Sequence, residues 1–242
     1  MMAVATRRLA YRHEETDFEA LLVSEADAPA RPAVILFPTI MGRSDLELGF
    51  ARKLAELGYA GIVADLYGVE NIGREREECR GLMNTLREDR PLLQSRLVQV
   101  LGTVRGQAEV DASRVAAIGY CFGGLCALDL ARTGADIRGI ASFHGLFTPP
   151  GNLDGTPIRA RVIAFHGWDD PYVPPADVEA LGRELSAAGA DWQIHAYGGV
   201  MHGFTNPAAN APENGLAYDA VAEARSWRSL TAFLEECFEP RR

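Results

Sequence analysis

Short apolar runs alternate along this chain with segments whose apolar residues recur at helical spacing. Ala33–Phe37 (AVILF) is β-branched and apolar throughout, the pattern of a strand covered on both faces. Leu46, Phe50, Leu54 and Leu57 then fall on one helical stripe. Ser44 and Glu47 have the spacing of a capping box at its start, and Gly58 supplies a left-handed stop at its end. Further strands are expected at Ala60–Ala64, Arg114–Gly119, Ile137–Phe143, Arg161–His166 and Trp192–Tyr197. Helices are expected over about 74–104 (divided by Pro91), Gly124–Ala131, Pro175–Ala188 and Leu216–Cys237. The last is expected to turn Val221, Ala224, Trp227, Leu230 and Leu234 inward. Two polar-alternating segments, Arg7–Arg12 and Phe18–Val23, precede all of these as an antiparallel edge pair. The order predicts an α/β fold with a mostly parallel central sheet and helices on both faces, in a single domain over residues 1–242. In such sheets function collects at the carboxyl ends of the strands.

Charge narrows the class of partner. Lys and Arg number 24 against 33 Asp and Glu, a net charge of −9 with no basic stripe, which argues against nucleic acid. The longest mostly apolar stretch, Val115–Leu128, is 14 residues, short of the roughly 18 that a spanning helix needs. The first residues turn polar at once, unlike a secretory leader. A cytoplasmic protein with no membrane partner is expected, as a monomer or weak homodimer. Cys79, Cys121, Cys126 and Cys237 show no CxxC spacing, so reduced thiols and no metal site are expected. No phosphate loop or dinucleotide fingerprint is present, and no cofactor is expected.

Chemistry enters directly after the strand Arg114–Gly119. Gly119-Tyr120-Cys121-Phe122-Gly123-Gly124 has the form glycine, any residue, nucleophile, any residue, glycine. Such a strand-to-helix turn is so tight that its flanking positions must be small. It also places the thiol at a helix N-terminus, where the dipole favours a thiolate. A nucleophile of this kind needs an acid and then a histidine later in the chain. Gly167-Trp168-Asp169-Asp170-Pro171 and Met201-His202-Gly203-Phe204 follow two later strands in that order. Asp169 competes with Asp170 for the acid's place, and His144, His166 and His195 with His202 for the base's; the register before Pro171 favours Asp170.

These pieces, GYCFGG at 119–124, HGWDDPYVP at 166–174, MHGF at 201–204 and PTIMG at 38–42, resemble the dienelactone hydrolase family of the α/β-hydrolase fold. The resemblance implies Cys121 as nucleophile, His202 as general base and acid, and Asp170 as the group orienting His202. It also implies an oxyanion hole from the backbone N–H groups of Ile40 and Phe122. The family carries a glutamate where this chain has Thr39, and an arginine where it has Asn206. The expected activity is hydrolysis of a lactone or small carboxylic ester through a thioester acyl-enzyme. Thr39, Tyr67, Tyr120, His144, Trp168, Tyr172 and Phe204 are candidates for the substrate pocket. The alternative is a catalytically silent protein of this fold that binds a ligand or senses redox state through Cys121.

Overall fold

The computed structural model describes residues 4–26 and 29–239. The chain divides into two compact units, Met1–Ala117 and Ile118–Arg242. The first holds β1 (Val4–His13), β2 (Thr16–Glu25), β3 (Arg31–Phe37), α1 (Asp45–Glu56), β4 (Ala60–Val63), α2 (Arg76–Glu88), α3 (Arg90–Arg105) and most of β5 (Val110–Tyr120). Its strand order is β1-β2-β4-β3-β5. β1 pairs with β2 and β2 with β4 antiparallel, whereas β3 and β4 run parallel. Every residue of β4 is buried whichever way its side chain points, so both faces of the sheet are covered there. The long helical region does divide at Pro91, which sits in the first turn of α3, where no intrahelical N–H is needed. Asp89 caps that helix by accepting from Leu92 N at 3.0 Å.

The start of α1 differs from expectation. Ser44 is the N-cap and accepts from Leu46 N, but Glu47 does not reach back to the Ser44 backbone. Its carboxylate accepts instead from the backbone N–H and the hydroxyl of Thr39, both at 3.1 Å, and from the Ser44 hydroxyl. Glu47 shares the buried stripe of Phe50 and Leu54, so its carboxylate points inward, where the loop after β3 has a donor to satisfy.

The second unit holds the last residues of β5, then α4 (Phe122–Arg132), β6 (Gly139–Phe143), β7 (Arg161–Gly167), α5 (Pro175–Ala187), β8 (Trp192–Tyr197), the short pair β9 (Asn210–Ala211) and β10 (Leu216–Ala217), and α6 (Ala220–Phe238). Its strand order is β5-β6-β7-β8, and β6, β7 and β8 pair parallel. The closing helix starts four residues later than expected, because Leu216–Ala217 pairs with β9 and the helix begins only after its Asp219 cap. Its inward face is also rotated. Ala222, Ser226, Leu230, Phe233, Leu234 and Cys237 are buried, whereas Val221 is 56% exposed. Ser226 hid this stripe from a hydropathy reading; its hydroxyl is satisfied locally by the Glu223 carbonyl at 2.9 Å. Among the described residues no helix is long and apolar enough to cross a membrane.

All of α4 is buried, including its last residue, Arg132. The guanidinium is fully engaged, with Asp129 (3.2 Å), both oxygens of Glu184 (2.7 and 2.8 Å) and the carbonyls of Phe147 and Thr148. Arg132→Ala takes the guanidinium from the buried Asp129 carboxylate and is expected to cost about 3–5 kcal/mol in urea unfolding. An unchanged midpoint would show that the ion pairs contribute nothing net.

Candidate active site

β5 ends at Tyr120 and α4 begins at Phe122, which leaves Cys121 alone to make the turn, at φ 57° and ψ −115°. A side-chain-bearing residue held there costs on the order of 1–3 kcal/mol, so neighbouring contacts must enforce it. Cys121 N donates to Phe143 O at 3.0 Å, and Cys121 O accepts from Gly124 N at 3.0 Å. Gly119 has to be bare: a Cβ on it would lie 1.9 Å from the Gly123 carbonyl oxygen. The thiol stands part-exposed at the N-terminus of an eleven-residue helix, next to backbone N–H groups that favour an anion.

Two loops of the same unit bring the other polar groups in. A Cβ on Gly167 would sit 2.5 Å from Val200 O and 2.7 Å from Met201 O, so glycine at the end of β7 lets the two loops lie against each other. Trp168 N to Tyr197 O and Asp169 N to Val200 O, each 2.9 Å, tie them together. His202 N donates to Gly215 O at 2.9 Å, and His202 O accepts from Ala217 N at 3.1 Å, fixing the histidine against β10. Asp170 is buried; its Oδ2 accepts from His202 Nδ1 at 2.7 Å and its Oδ1 from Tyr172 N at 2.8 Å. Asp169 faces solvent, so of the two candidate acids it is Asp170 that meets His202.

The other side of His202 hydrogen-bonds Cys121. Burial by itself would press the imidazolium to a low pKa. The Cys121 charge, the hydrogen bonds to Asp170 and Cys121, and the Asp170 charge together outweigh burial and push it up to about 10. The histidine's rivals shift the opposite way. Burial, reinforced by the nearby His202, holds His144 well below the usual range. Burial also lowers His166 and His195. Of the four histidines, His202 is the one that pairs with a buried carboxylate, an arrangement that can hold and return a proton.

Trp168 and Tyr172, 46% and 49% exposed, are the pocket candidates of this unit that present surface to solvent. The Tyr172 ring meets His202 edge-on at 5.1 Å, and its hydroxyl is tied to Asn214 O at 3.0 Å. Tyr120, His144 and Phe204 are buried, and the His144 ring packs against Tyr120, Phe204 and His202. Asn206, at the family's arginine position, is used in a local turn through Ala208 N at 2.9 Å. In the first unit, Ile40 O accepts from the Tyr67 hydroxyl at 3.1 Å and Thr39 is held by Glu47, so the loop after β3 is braced at both residues. A separate cavity of about 330 Å³ lies beside Phe147, Leu153, Ile158 and Leu181 and includes none of Cys121, Asp170 and His202. Among the described residues no three His, Cys, Asp or Glu side chains gather as a metal ion requires.

Sequence reasoning missed two polar residues here. Glu47 was legible in principle, as a carboxylate on an otherwise apolar helical stripe. Thr205, buried and bonded to His144 Nε2 at 2.8 Å, gave only the faint signal of a hydroxyl closing an apolar motif.

The chain matches the family model described as "Dienelactone hydrolase family" over residues 18–238. It is 38% identical over 152 residues to the uncharacterized protein K02A2.1 of Caenorhabditis elegans, covering 60% of this chain and 94% of that one. A solved structure named m3DLH superposes with a TM-score of 0.92 at 38% identity, over 98% of this chain and all of the other. A dienelactone hydrolase-like promiscuous phosphotriesterase, P91, from metagenomic libraries, does so with 0.91 at 36% identity, over 98% and 100%.

The raised pKa of His202 has a consequence with a definite sign: its charge persists through neutral pH and is lost as pH rises through about 10. Asp170→Asn removes the hydrogen-bonded carboxylate and lowers that pKa, so the charge is lost nearer neutrality. Alkylation of Cys121 by iodoacetamide at pH 7 is expected to slow by about tenfold, the worth of a hydrogen bond to a charged group. Equal rates in the two proteins would mean that Asp170 does not set the histidine's charge.

Proposed function

Since the chain belongs to the dienelactone hydrolase family and is, as a member, a lactone or ester hydrolase, we propose that Cys121, His202 and Asp170 are its catalytic triad and that it works through a thioester acyl-enzyme. The observation that carries this reading is the continuous line from Asp170 Oδ2 through His202, at 2.7 Å, to a thiol held on a strained turn.

In this mechanism the Cys121 thiolate attacks the substrate carbonyl carbon, and the carbonyl electron pair moves onto oxygen. The N–H of Phe122, at the start of α4, donates to that oxyanion. As the tetrahedral species collapses, the carbon–oxygen bond to the leaving group breaks and His202 gives its proton to the departing alkoxide. A lactone keeps that alkoxide tethered as a hydroxyl. Neutral His202 then takes a proton from water, whose oxygen attacks the thioester. The carboxylic product leaves, and the thiolate and imidazolium are restored. Asp170 keeps Nδ1 as the donor side of His202.

A thiolate is a good nucleophile and a good leaving group, which suits strained lactones, activated esters and thioesters better than amides. The family's arginine is replaced here by Asn206, which favours substrates without a small carboxylate over an anionic dienelactone. The likeness to P91 supports adding a phosphotriester to the substrate panel. The enzyme name that P91 carries does not favour the silent, ligand-binding alternative.

p-Nitrophenyl acetate hydrolysis by the wild type and by Cys121→Ala tests the reading. The variant is expected to retain less than about 1% of the wild-type kcat, as loss of a triad nucleophile does. Equal rates in both would remove Cys121 as nucleophile.

A further inference from the structure

The inner side of His202 is closed by a second histidine that the mechanism leaves unused. His144 follows β6 at φ 38°, another strained position, held by its N–H donating to Phe165 O at 2.8 Å. Its ring is enclosed. It meets the His202 ring at 5.1 Å with an interplanar angle of 63°, and the Phe204 ring at 5.2 Å with 81°. Nε2 lies 2.8 Å from the hydroxyl of Thr205, itself buried and only three residues after His202.

A hydroxyl both donates and accepts, so the contact between Nε2 and Thr205 is met in either direction. It ties the residue after β6 to the turn that carries His202. Asp170 and Cys121 hold His202 through its two ring nitrogens, and packing has to fix the plane of the ring about that line. Tyr172 bounds it from the exposed side and His144 from the buried side.

We propose that His144, bonded to Thr205, is a positioning residue that fixes the 202–205 turn and so the direction in which His202 presents Nε2 to Cys121. The proposal rests on the triad reading above. Burial and the adjacent His202 keep His144 uncharged while His202 carries the proton, so the two rings do not repel. Asp170, the nearby carboxylate, is committed to His202 and Tyr172 N.

Thr205→Val keeps the branched volume and removes the hydroxyl. With p-nitrophenyl acetate, kcat is expected to fall roughly threefold to tenfold, the worth of one neutral hydrogen bond, with KM changed by less than about twofold. Alkylation of Cys121 by iodoacetamide falls in parallel, and Thr205→Ser restores both. A Val variant with wild-type kcat and alkylation rate overturns the proposal. If Thr205→Val does not fold, His144→Asn, which tolerates the left-handed backbone and falls short of Thr205, takes its place in both assays. If the wild type turns over no ester, the triad reading fails by itself, and the alkylation measurement still judges the role of His144.

Discussion

The turn at Cys121 is the constraint on which the site depends. One residue must reverse the chain from β5 into α4, and it can do so only with φ near 57°, a conformation unfavourable for any residue with a Cβ. The penalty is met by contacts that leave no room for side chains. Gly119 and Gly123 touch backbone to backbone, and the Cys121 N–H is held by the end of β6. The same strain that makes the position costly lifts the thiol out of the sheet and sets it at the N-terminus of a helix. A relaxed cysteine inside α4, such as the buried Cys126, has the same chemistry and none of the access.

Around that turn the second unit sorts charge by partner rather than by residue type. Three buried histidines, His144, His166 and His202, share one neighbourhood, yet one gains a proton and two lose theirs. The difference is hydrogen bonding to charged groups. His202 has Asp170 on one nitrogen and Cys121 on the other. His144 has a neutral hydroxyl, and the His166 nitrogens have no protein partner. Desolvation acts on all three, and only an opposing charge within bonding distance overcomes it.

Much of this was legible from the residues alone, for physical reasons that differ by element. β3, β4 and β7 are covered on both faces and so read as uninterrupted apolar runs. The turn at Cys121 was legible because steric closeness forces glycine at fixed offsets, and the meeting of Asp170 with His202 because each follows a later strand. What escaped was whatever depends on a partner distant in sequence. Glu47 looked like half of a capping box because helix-start spacing is local, whereas its bond to Thr39 requires the loop's path. The buried stripe of α6 was masked by Ser226, whose hydroxyl is satisfied within its own helix. His144 sits at a strand end just as a pocket residue would; only its neighbours show that it faces inward.

The central claim is that Cys121 carries the acyl group. Wild-type protein mixed with an activated acetate ester, quenched in acid within the first turnovers and read by intact-mass and peptide mass spectrometry, tests it most directly. The account predicts one added acetyl group, on the peptide containing Cys121, which decays with time and is absent from Cys121→Ala. Turnover that proceeds with no acylated species at any quench time, or with the label on another residue, would contradict it.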